Sequence, residues 1–382
     1  MTQPTVEAIY HGAIWSGTGY SEAARNAVLA LHAAGVKLKV DPSGFSKGTI
    51  EVRDKKITIR RHEVNKALKL PFEFKEIVER LRYYPVAEDA PRVIHAPSPV
   101  YHNHIDGRRR TIGYTAWETS QMPRIWVDGC NAVDEVWIPC FHNLRVLRDS
   151  GVRKPIYVVP HAIDTTRFAP SSMRLNTGFT FISVFRWGLR KGWPELFTAY
   201  ERAFTADDPV TLRVLTNYRT EEHRGQAEKI REHFQRPGKP KVELLPMEWV
   251  TYDFVPILYQ NADAFVLPSR GEGFCLPCAE AMACGLPPIV TNASAFLDYV
   301  TEANGYPVGY RMEESEDHSD PDRDATAWTV ADIDDLSTKM KQAFNNREEL
   351  VRKGRAARDT IISKFGFGRV ARMMAERIAV NA

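Results

Sequence analysis

Short apolar runs alternate with stretches of helical periodicity from one end of the chain to the other. Residues 6–14 form an apolar run, 21–34 repeat their apolar positions at helical spacing, and 36–40 are apolar again. The opening therefore reads strand, helix, strand. Further strands are predicted at 92–95, 111–115, 135–138 and 156–159, each ending near a turn signal or a polar cluster. At 179–184 the rhythm restarts, with strands predicted at 211–215, 242–245, 264–267 and 288–291. Such alternation indicates parallel sheets flanked by helices, so the predicted fold class is α/β with two domains. The stretch 160–172, with two prolines and a polar tract, reads as the linker between them.

Three segments stand outside this rhythm. Residues 46–61 alternate like a hairpin. Residues 313–324 (EESEDHSDPDRD) read as an acidic loop whose Asp320, Asp322 and Asp324 invite a calcium reading. No glycine follows Asp324 and no glutamate closes the loop, so calcium is not expected there. The end of the chain is helical over 347–364, breaks at Gly366-Phe367-Gly368, and resumes to residue 380, which predicts a final helix that changes direction.

Composition adds exclusions. At 382 residues, with 43% hydrophobic and 26% charged residues, the chain is long enough for two cores. No segment approaches the roughly 18 consecutive apolar residues of a membrane span. The N-terminus has neither a basic flank nor an apolar core, so a cytoplasmic location is expected, and five cysteines fit reduced thiols. A net charge of +3 does not imply a polyanion partner for the whole molecule. Arg60-Arg61 and Arg108-Arg109-Arg110 read as a solvated basic edge, with contact to phosphate or acidic lipid at the inner membrane face as the alternative.

The most informative stretch is RGEGFCLPCAEAMACG (270–285), a tight loop between a buried strand and a short helix with Pro277 near its start and Gly285 past its end. Cys275-Leu276-Pro277-Cys278 has the spacing of thiol oxidoreductases, but that motif belongs to small domains. Cys275, Cys278 and Cys284 lack a fourth ligand for zinc, so the cysteines read as buried apolar residues. What remains is an anion site. Loop and helix N-terminus point amides at a negative group, and Gly273 permits close approach. Glu272 and Glu280 flank those amides, so the ligand must also carry hydroxyls. A sugar joined to a nucleoside diphosphate meets both demands.

These residues resemble the donor-binding signature of retaining glycosyltransferases of the GT-B architecture, specifically glycosyltransferase family 4. YTAWETS (114–120), DEVWIPC (134–140), VVPHAIDTTRF (158–168) and FRWGLRKGW (185–193) occur in the family's order. The resemblance implies two Rossmann-like domains across a cleft: 1–172 on the acceptor side, with the helix 367–382 packing back on it, and 173–366 binding the nucleotide sugar. It implies Glu280 on the ribose, Glu272 on the transferred sugar, and the amides of Gly273, Phe274, Cys275 and Leu276 on sugar and phosphate. Arg186 and Lys191 match the cationic pair on the diphosphate, a role the chemistry itself requires because the leaving group accumulates negative charge. Arg190 either shares that role or faces solvent.

Residues 15–21 (WSGTGYS) contain G-x-G, with Glu22 at the third glycine's place and Asp41 where a dinucleotide-binding acid would sit. A nicotinamide enzyme would leave the two glutamates without purpose. By resemblance, Gly17 and Gly19 reach the donor phosphate instead. Glu118 stands where many relatives carry histidine, either accepting from a hydroxyl or bracing its loop. His161 reads as structural or cleft-lining, and His102-Asn103-His104 as a surface loop rather than a metal grip.

The implied reaction is retaining transfer of a hexose-type sugar to a hydroxyl acceptor, a glycan or lipid-linked saccharide in polysaccharide biosynthesis, with no cofactor and no metal. The rivals are a hydroxymethylated nucleic-acid base as acceptor, and a sugar-nucleotide-binding protein without turnover.

Overall fold

The computed structural model describes residues 6–42, 48–53, 56–61, 70, 72–172, 178–314 and 327–380. The first half runs β1 (Glu7–Gly12), α1 (Gly19–Ala33), β2 (Lys37–Asp41), the antiparallel hairpin β3 (Gly48–Arg53) and β4 (Lys56–Arg61), then α2 (Phe72–Arg82) and β5 (Arg92–His95). It continues with β6 (Thr111–Tyr114), α3 (Arg124–Ala132), β7 (Glu135–Ile138), α4 (Phe141–Asp149) and β8 (Ile156–Val158). Its six parallel strands lie in the order β2-β1-β5-β6-β7-β8.

The second half repeats the plan with β9 (Phe179–Arg186), α5 (Trp193–Ala203), β10 (Val210–Asn217), α6 (Glu221–Phe234), β11 (Lys241–Pro246), α7 (Val255–Gln260), β12 (Ala264–Leu267), α8 (Leu276–Ala283), β13 (Pro288–Thr291) and β14 (Tyr306–Val308). Its order is β11-β10-β9-β12-β13-β14. A small antiparallel pair, β15 (Tyr310–Glu313) and β16 (Trp328–Ala331), precedes α9 (Ile333–Asn345), α10 (Arg347–Phe365) and α11 (Phe367–Ala379). The acidic stretch lies outside the described residues from 315 to 326.

The strands read from the pattern are present, because strands covered on both faces are nearly all apolar, as in β9, buried from Phe179 to Phe185. The pattern did not mark β14 to β16. They are three or four residues long, and β14 carries Pro307, which an edge strand tolerates.

The ends of the helices follow local chemistry. The Thr18 hydroxyl caps α1 by accepting from the Ser21 amide. At the exit of α8, Gly285 has φ +83°, and a Cβ on Gly354 of α10 would lie 2.2 Å from its carbonyl oxygen. Glycine at both positions lets α10 press against α8.

After α10 the chain crosses back. The Ile163 amide donates to the Phe365 carbonyl at 2.8 Å, and α11 buries Val370, Ala371, Met374 and Ile378 in the core of the first sheet. The reading of residues 108–110 as a solvated edge holds for Arg108, which is exposed, and is corrected for Arg109 and Arg110. Arg110 donates to the carbonyls of Arg377, Ile378 and Val380 at the end of α11 and to Glu135 at 2.7 Å, while Arg109 pairs with Asp106 at 2.8 Å. Guanidinium donors satisfy the orphan carbonyls of a helix C-terminus and complement its dipole.

Candidate active site

Strands β9 and β12 are hydrogen-bonded neighbours, so the loops leaving their C-terminal ends meet in the crevice where such sheets receive ligands. The contact is tight. Gly192 has φ +67°, and a Cβ there would lie 1.9 Å from the Pro268 carbonyl oxygen.

From the β9 loop, Lys191 Nζ reaches Glu272 Oε1 at 2.5 Å, and the Ser269 hydroxyl donates to the same oxygen at 2.7 Å. Arg190 donates to the Gly271 carbonyl at 2.6 Å, approaches Glu272 at 3.5 Å and pairs with Glu118 at 3.3 Å. Burial raises the Glu272 pKa, but Lys191 and Arg190 outweigh it and hold the carboxyl below its ordinary value. Burial, with Arg190 beside it, pulls Lys191 down while Glu272 resists. Because the same contact favours both charges, we assign the pair as ionised at neutral pH.

Arg190 therefore faces this cluster rather than solvent. Arg186, the last residue of β9, is exposed. Glu118 meets a cation from the opposite half, and the loop behind it is packed hard against the glycine loop. A Cβ on Gly271 would lie 2.2 Å from the Glu118 carbonyl oxygen, and one on Gly273 would lie 2.9 Å from the Ala116 methyl.

The glycine loop is held from outside. The Glu272 amide donates to the Ser294 hydroxyl, Cys140 Sγ to the Gly273 carbonyl at 3.0 Å, and Tyr299 to the Phe274 carbonyl at 2.6 Å. Cys275 takes φ +69°, a left-handed conformation unusual for a residue with a side chain. Among the described residues, the amides of Gly273, Phe274, Cys275 and Leu276 have no acceptor. Four successive donors at the start of α8 are what a negatively charged or oxygen-rich ligand needs.

Glu280, within α8, sits in a different setting. The Tyr259 hydroxyl donates to it at 3.1 Å, and burial together with the nearby Glu22 carboxylate pushes its pKa up to about 7. Around Gly17 and Gly19 a Cβ would meet nothing within 4 Å, so packing does not require glycine there, whereas close approach of a ligand would. Ser269, Ser294, Tyr259 and the Arg190 ion pairs were not read from the sequence. Ser294, Tyr259 and the Arg190 pairs act by proximity of distant segments, whereas Ser269 lies three residues from Glu272 in the same loop.

The competing readings meet specific obstacles. Cys275, Cys278 and Cys284 are buried free thiols, and burial pushes Cys284 up to about 12, the opposite of what thiol redox chemistry requires. Glu22 places a carboxylate where a dinucleotide loop would want glycine, and Asp41 lies 3.1 Å from His11. The His104 ring lies tilted against His11 with centroids 3.7 Å apart. Among the described residues no group of three His, Cys, Asp or Glu side chains could hold a metal. His161 is buried, bonded through Nδ1 to the Tyr114 hydroxyl at 2.9 Å and edge-on to Phe274, and burial takes its pKa to about 3. It is a neutral support beneath the glycine loop.

Residues 174–360 match the family model of glycosyl transferases group 1. The MMP alpha-(1->4)-mannosyltransferase of Mycolicibacterium hassiacum is 27% identical over 237 residues, which is 62% of this chain and 50% of that protein. The lipopolysaccharide core biosynthesis mannosyltransferase LpsB of Rhizobium meliloti is 28% identical over 155 residues, 38% of this chain and 43% of that one. The matches thus span half or less of each relative. In fold, Anabaena HepE in complex with UDP and glucose superposes with a TM-score of 0.70 at 12% identity, covering 98% of this chain and 100% of that one. Sucrose-phosphate synthase of Thermosynechococcus elongatus does so at 0.67 and 17%, covering 98% of both. The chain therefore has the two-domain GT-B fold, and its residues 174–360 resemble the glycosyl transferases group 1 family.

Proposed function

We propose that the protein is a retaining glycosyltransferase that moves a hexose-type sugar from a nucleoside diphosphate to a hydroxyl of a glycan or lipid-linked saccharide. The observation that carries this reading is the run of amides from Gly273 to Leu276, without an acceptor among the described residues, beside a buried carboxylate already paired with Lys191 and Arg190. In this reading residues 1–172 with α11 hold the acceptor and 173–366 the donor. Glu280 accepts from the ribose hydroxyls and Glu272 from the sugar. Gly17 and Gly19 approach the phosphate from across the cleft.

The bond from the anomeric carbon to the phosphate oxygen breaks, and its electron pair leaves on the diphosphate. Lys191, Arg190 and Arg186 stabilise that charge, and the first two, largely buried, act where fixed cations count most. The acceptor oxygen attacks from the same face as the leaving group, and its proton passes to a phosphate oxygen of the donor. No enzyme nucleophile is needed. The protein's own cations neutralise the diphosphate, so turnover is independent of divalent metal. Glu118, tied to Arg190, orients that cation. The mannosyltransferase relatives make a mannosyl donor the first candidate, and UDP in HepE makes uridine a second.

A thermal-shift panel of nucleotide sugars tests the reading, since a ligand at 100 times its Kd adds about 2.7 kcal/mol of stability. The strongest stabiliser should also be hydrolysed or transferred. Binding without turnover would leave a sugar-nucleotide-binding protein, and no stabiliser at all would sink the proposal.

A further inference from the structure

Away from the Lys191 cluster, a second set of charged side chains joins the two halves. Glu22, in the first turn of α1, accepts from Arg25 at 2.5 Å, from Arg167 at 3.2 Å and from the Tyr252 hydroxyl at 3.1 Å. Arg25 is 2% exposed, and its other terminal nitrogen donates to the carbonyls of Ile14 at 2.7 Å and Ser16 at 2.9 Å. It therefore pins the start of the loop that carries Gly17 and Gly19. The hydroxyls of Ser16, Thr18 and Ser21 bond to one another in the same loop.

Arg167 comes from the segment between the halves. Its guanidinium lies over the Tyr252 ring at 3.4 Å and donates to the Tyr252 carbonyl at 2.7 Å. Tyr252 belongs to the turn leading into α7, the helix whose Tyr259 holds Glu280. One carboxylate thus gathers donors from its own helix, from the linker and from the second domain. All the charged partners are largely withdrawn from water, where such pairs are geometrically demanding and costly to break.

We propose that Glu22 is a positioning residue of the donor site: its carboxylate fastens the glycine loop 16–19 of the first domain to Arg167 and Tyr252, holding that loop over the donor pocket of the second. The donor part of this inference rests on the function proposed above; the fastening does not. Glu22 also acts on the ribose carboxylate. The groups facing Glu280 are Glu22 and Arg25 from α1, Arg167 from the linker, Tyr259 from α7 and Cys284 at the end of α8, with Arg358 of α10 beside Cys284. After burial, Glu22 is the first influence that keeps a proton on Glu280, and Arg167 and Arg25 oppose it. A neutral residue in place of Glu22 should therefore release that proton at lower pH, an effect that a purely structural contact would not produce.

The test uses the full chain as wild type, Glu22→Gln, Glu22→Asp and Tyr252→Phe. Small-angle scattering reads the separation of the halves. Calorimetric titration with UDP, GDP and ADP from pH 5.5 to 8.5 reads the acid limb of nucleotide affinity. We expect a larger radius of gyration in Glu22→Gln and Tyr252→Phe. We also expect an acid limb shifted down by at least half a pH unit in Glu22→Gln and restored in Glu22→Asp. An unchanged radius of gyration, or an unmoved limb in a folded Glu22→Gln protein, overturns the inference. If Glu22→Gln does not fold, Tyr252→Phe, which removes one hydroxyl, decides through scattering alone. If wild type binds none of the three nucleotides, it is the donor reading that fails, and scattering still decides the fastening.

Discussion

Lys191 Nζ lies 2.5 Å from Glu272 Oε1, a contact between the loop that leaves β9 and the loop that leaves β12. Both side chains are largely buried. Breaking such a pair strands a charge, at a cost of about 3–5 kcal/mol, and in the proposed mechanism removes a cation from the developing diphosphate. Lys191→Met should therefore lower both the melting temperature and turnover, the latter by about 100- to 1,000-fold. Arg186→Ala separates the two effects. Its side chain is exposed, so stability should stay within about 0.5 kcal/mol while turnover falls comparably. Melting curves beside donor-hydrolysis rates measure both, and an Arg186→Ala protein with full activity would remove that residue from the mechanism.

Gly271 and Glu118 probe whether the halves work in the arrangement described. Only 2.2 Å separates a Cβ on Gly271 from the Glu118 carbonyl oxygen, and backbone gives way less readily than a flexible side chain. Gly271→Ala should cost about 1–3 kcal/mol by overpacking. It should also displace the Glu118 loop and with it the partner of Arg190. Gly17→Ala, with open space around it, should leave stability within about 0.5 kcal/mol and weaken donor affinity instead. Equal effects of both substitutions on melting temperature would contradict this distinction.

The difference between those glycines also marks what the sequence could reveal. Glu272, Gly273 and Glu280 were legible because they share one short loop and helix, where spacing dictates geometry. Lys191 was named through the resemblance carried by FRWGLRKGW, and the structure sets it against Glu272. Arg190 was ambiguous, because its neighbours in sequence do not include Glu118 or Gly271, which lie 72 and 81 positions away. The strands read well where both faces are covered, as in β9, and poorly at the edge, where β14 needs few apolar residues. Arg110 looked like a solvated charge for the same reason. Its partners at the end of α11 are more than 260 residues distant.

Those partners give Arg110 a measurable role in stability. Its guanidinium satisfies three carbonyls at the end of α11 and pairs with the buried Glu135. Arg110→Ala should destabilise the protein by about 2–4 kcal/mol, combining unsatisfied acceptors with a weakened ion pair. Arg377, which also reaches Glu135 at 2.6 Å, limits the loss. Hydrogen exchange should quicken selectively in α11, and donor affinity should stay unchanged because the contact is remote from the glycine loop. Uniform acceleration across both halves would argue against a local cap.

Cys275 is held at φ +69°, where a side chain costs about 1–2 kcal/mol and glycine costs nothing. Cys275→Gly relieves that strain but gives up a buried thiol, so the two should nearly cancel, to within about 1 kcal/mol. Cys275→Val adds a β-branch to the same backbone and should cost at least about 2 kcal/mol. Thermal melts of the three proteins decide the matter. A Val variant as stable as wild type would mean that the loop readily leaves the left-handed conformation, and with it the display of the amides from Gly273 to Leu276.

Glu280 should reveal itself through opposite pH dependences of stability and binding. Its folded-state pKa, near 7, lies above the ordinary value of 4.5, so the native protein holds this proton more tightly than the unfolded chain does. The associated stability is complete below about pH 4.5 and is lost as pH rises through about 7. Glutamine is neutral throughout and escapes that loss, so Glu280→Gln should gain in melting temperature relative to wild type between pH 5 and pH 8. Nucleotide affinity should behave the other way. The carboxylate accepts from two ribose hydroxyls better than the acid or the amide, so wild-type binding strengthens above pH 7 and the variant falls furthest behind there. A residue that served only to pack α8 against Tyr259 could produce the first trend but not the second. Calorimetry on both proteins across the same pH range therefore separates a ribose-binding carboxylate from a buried structural one.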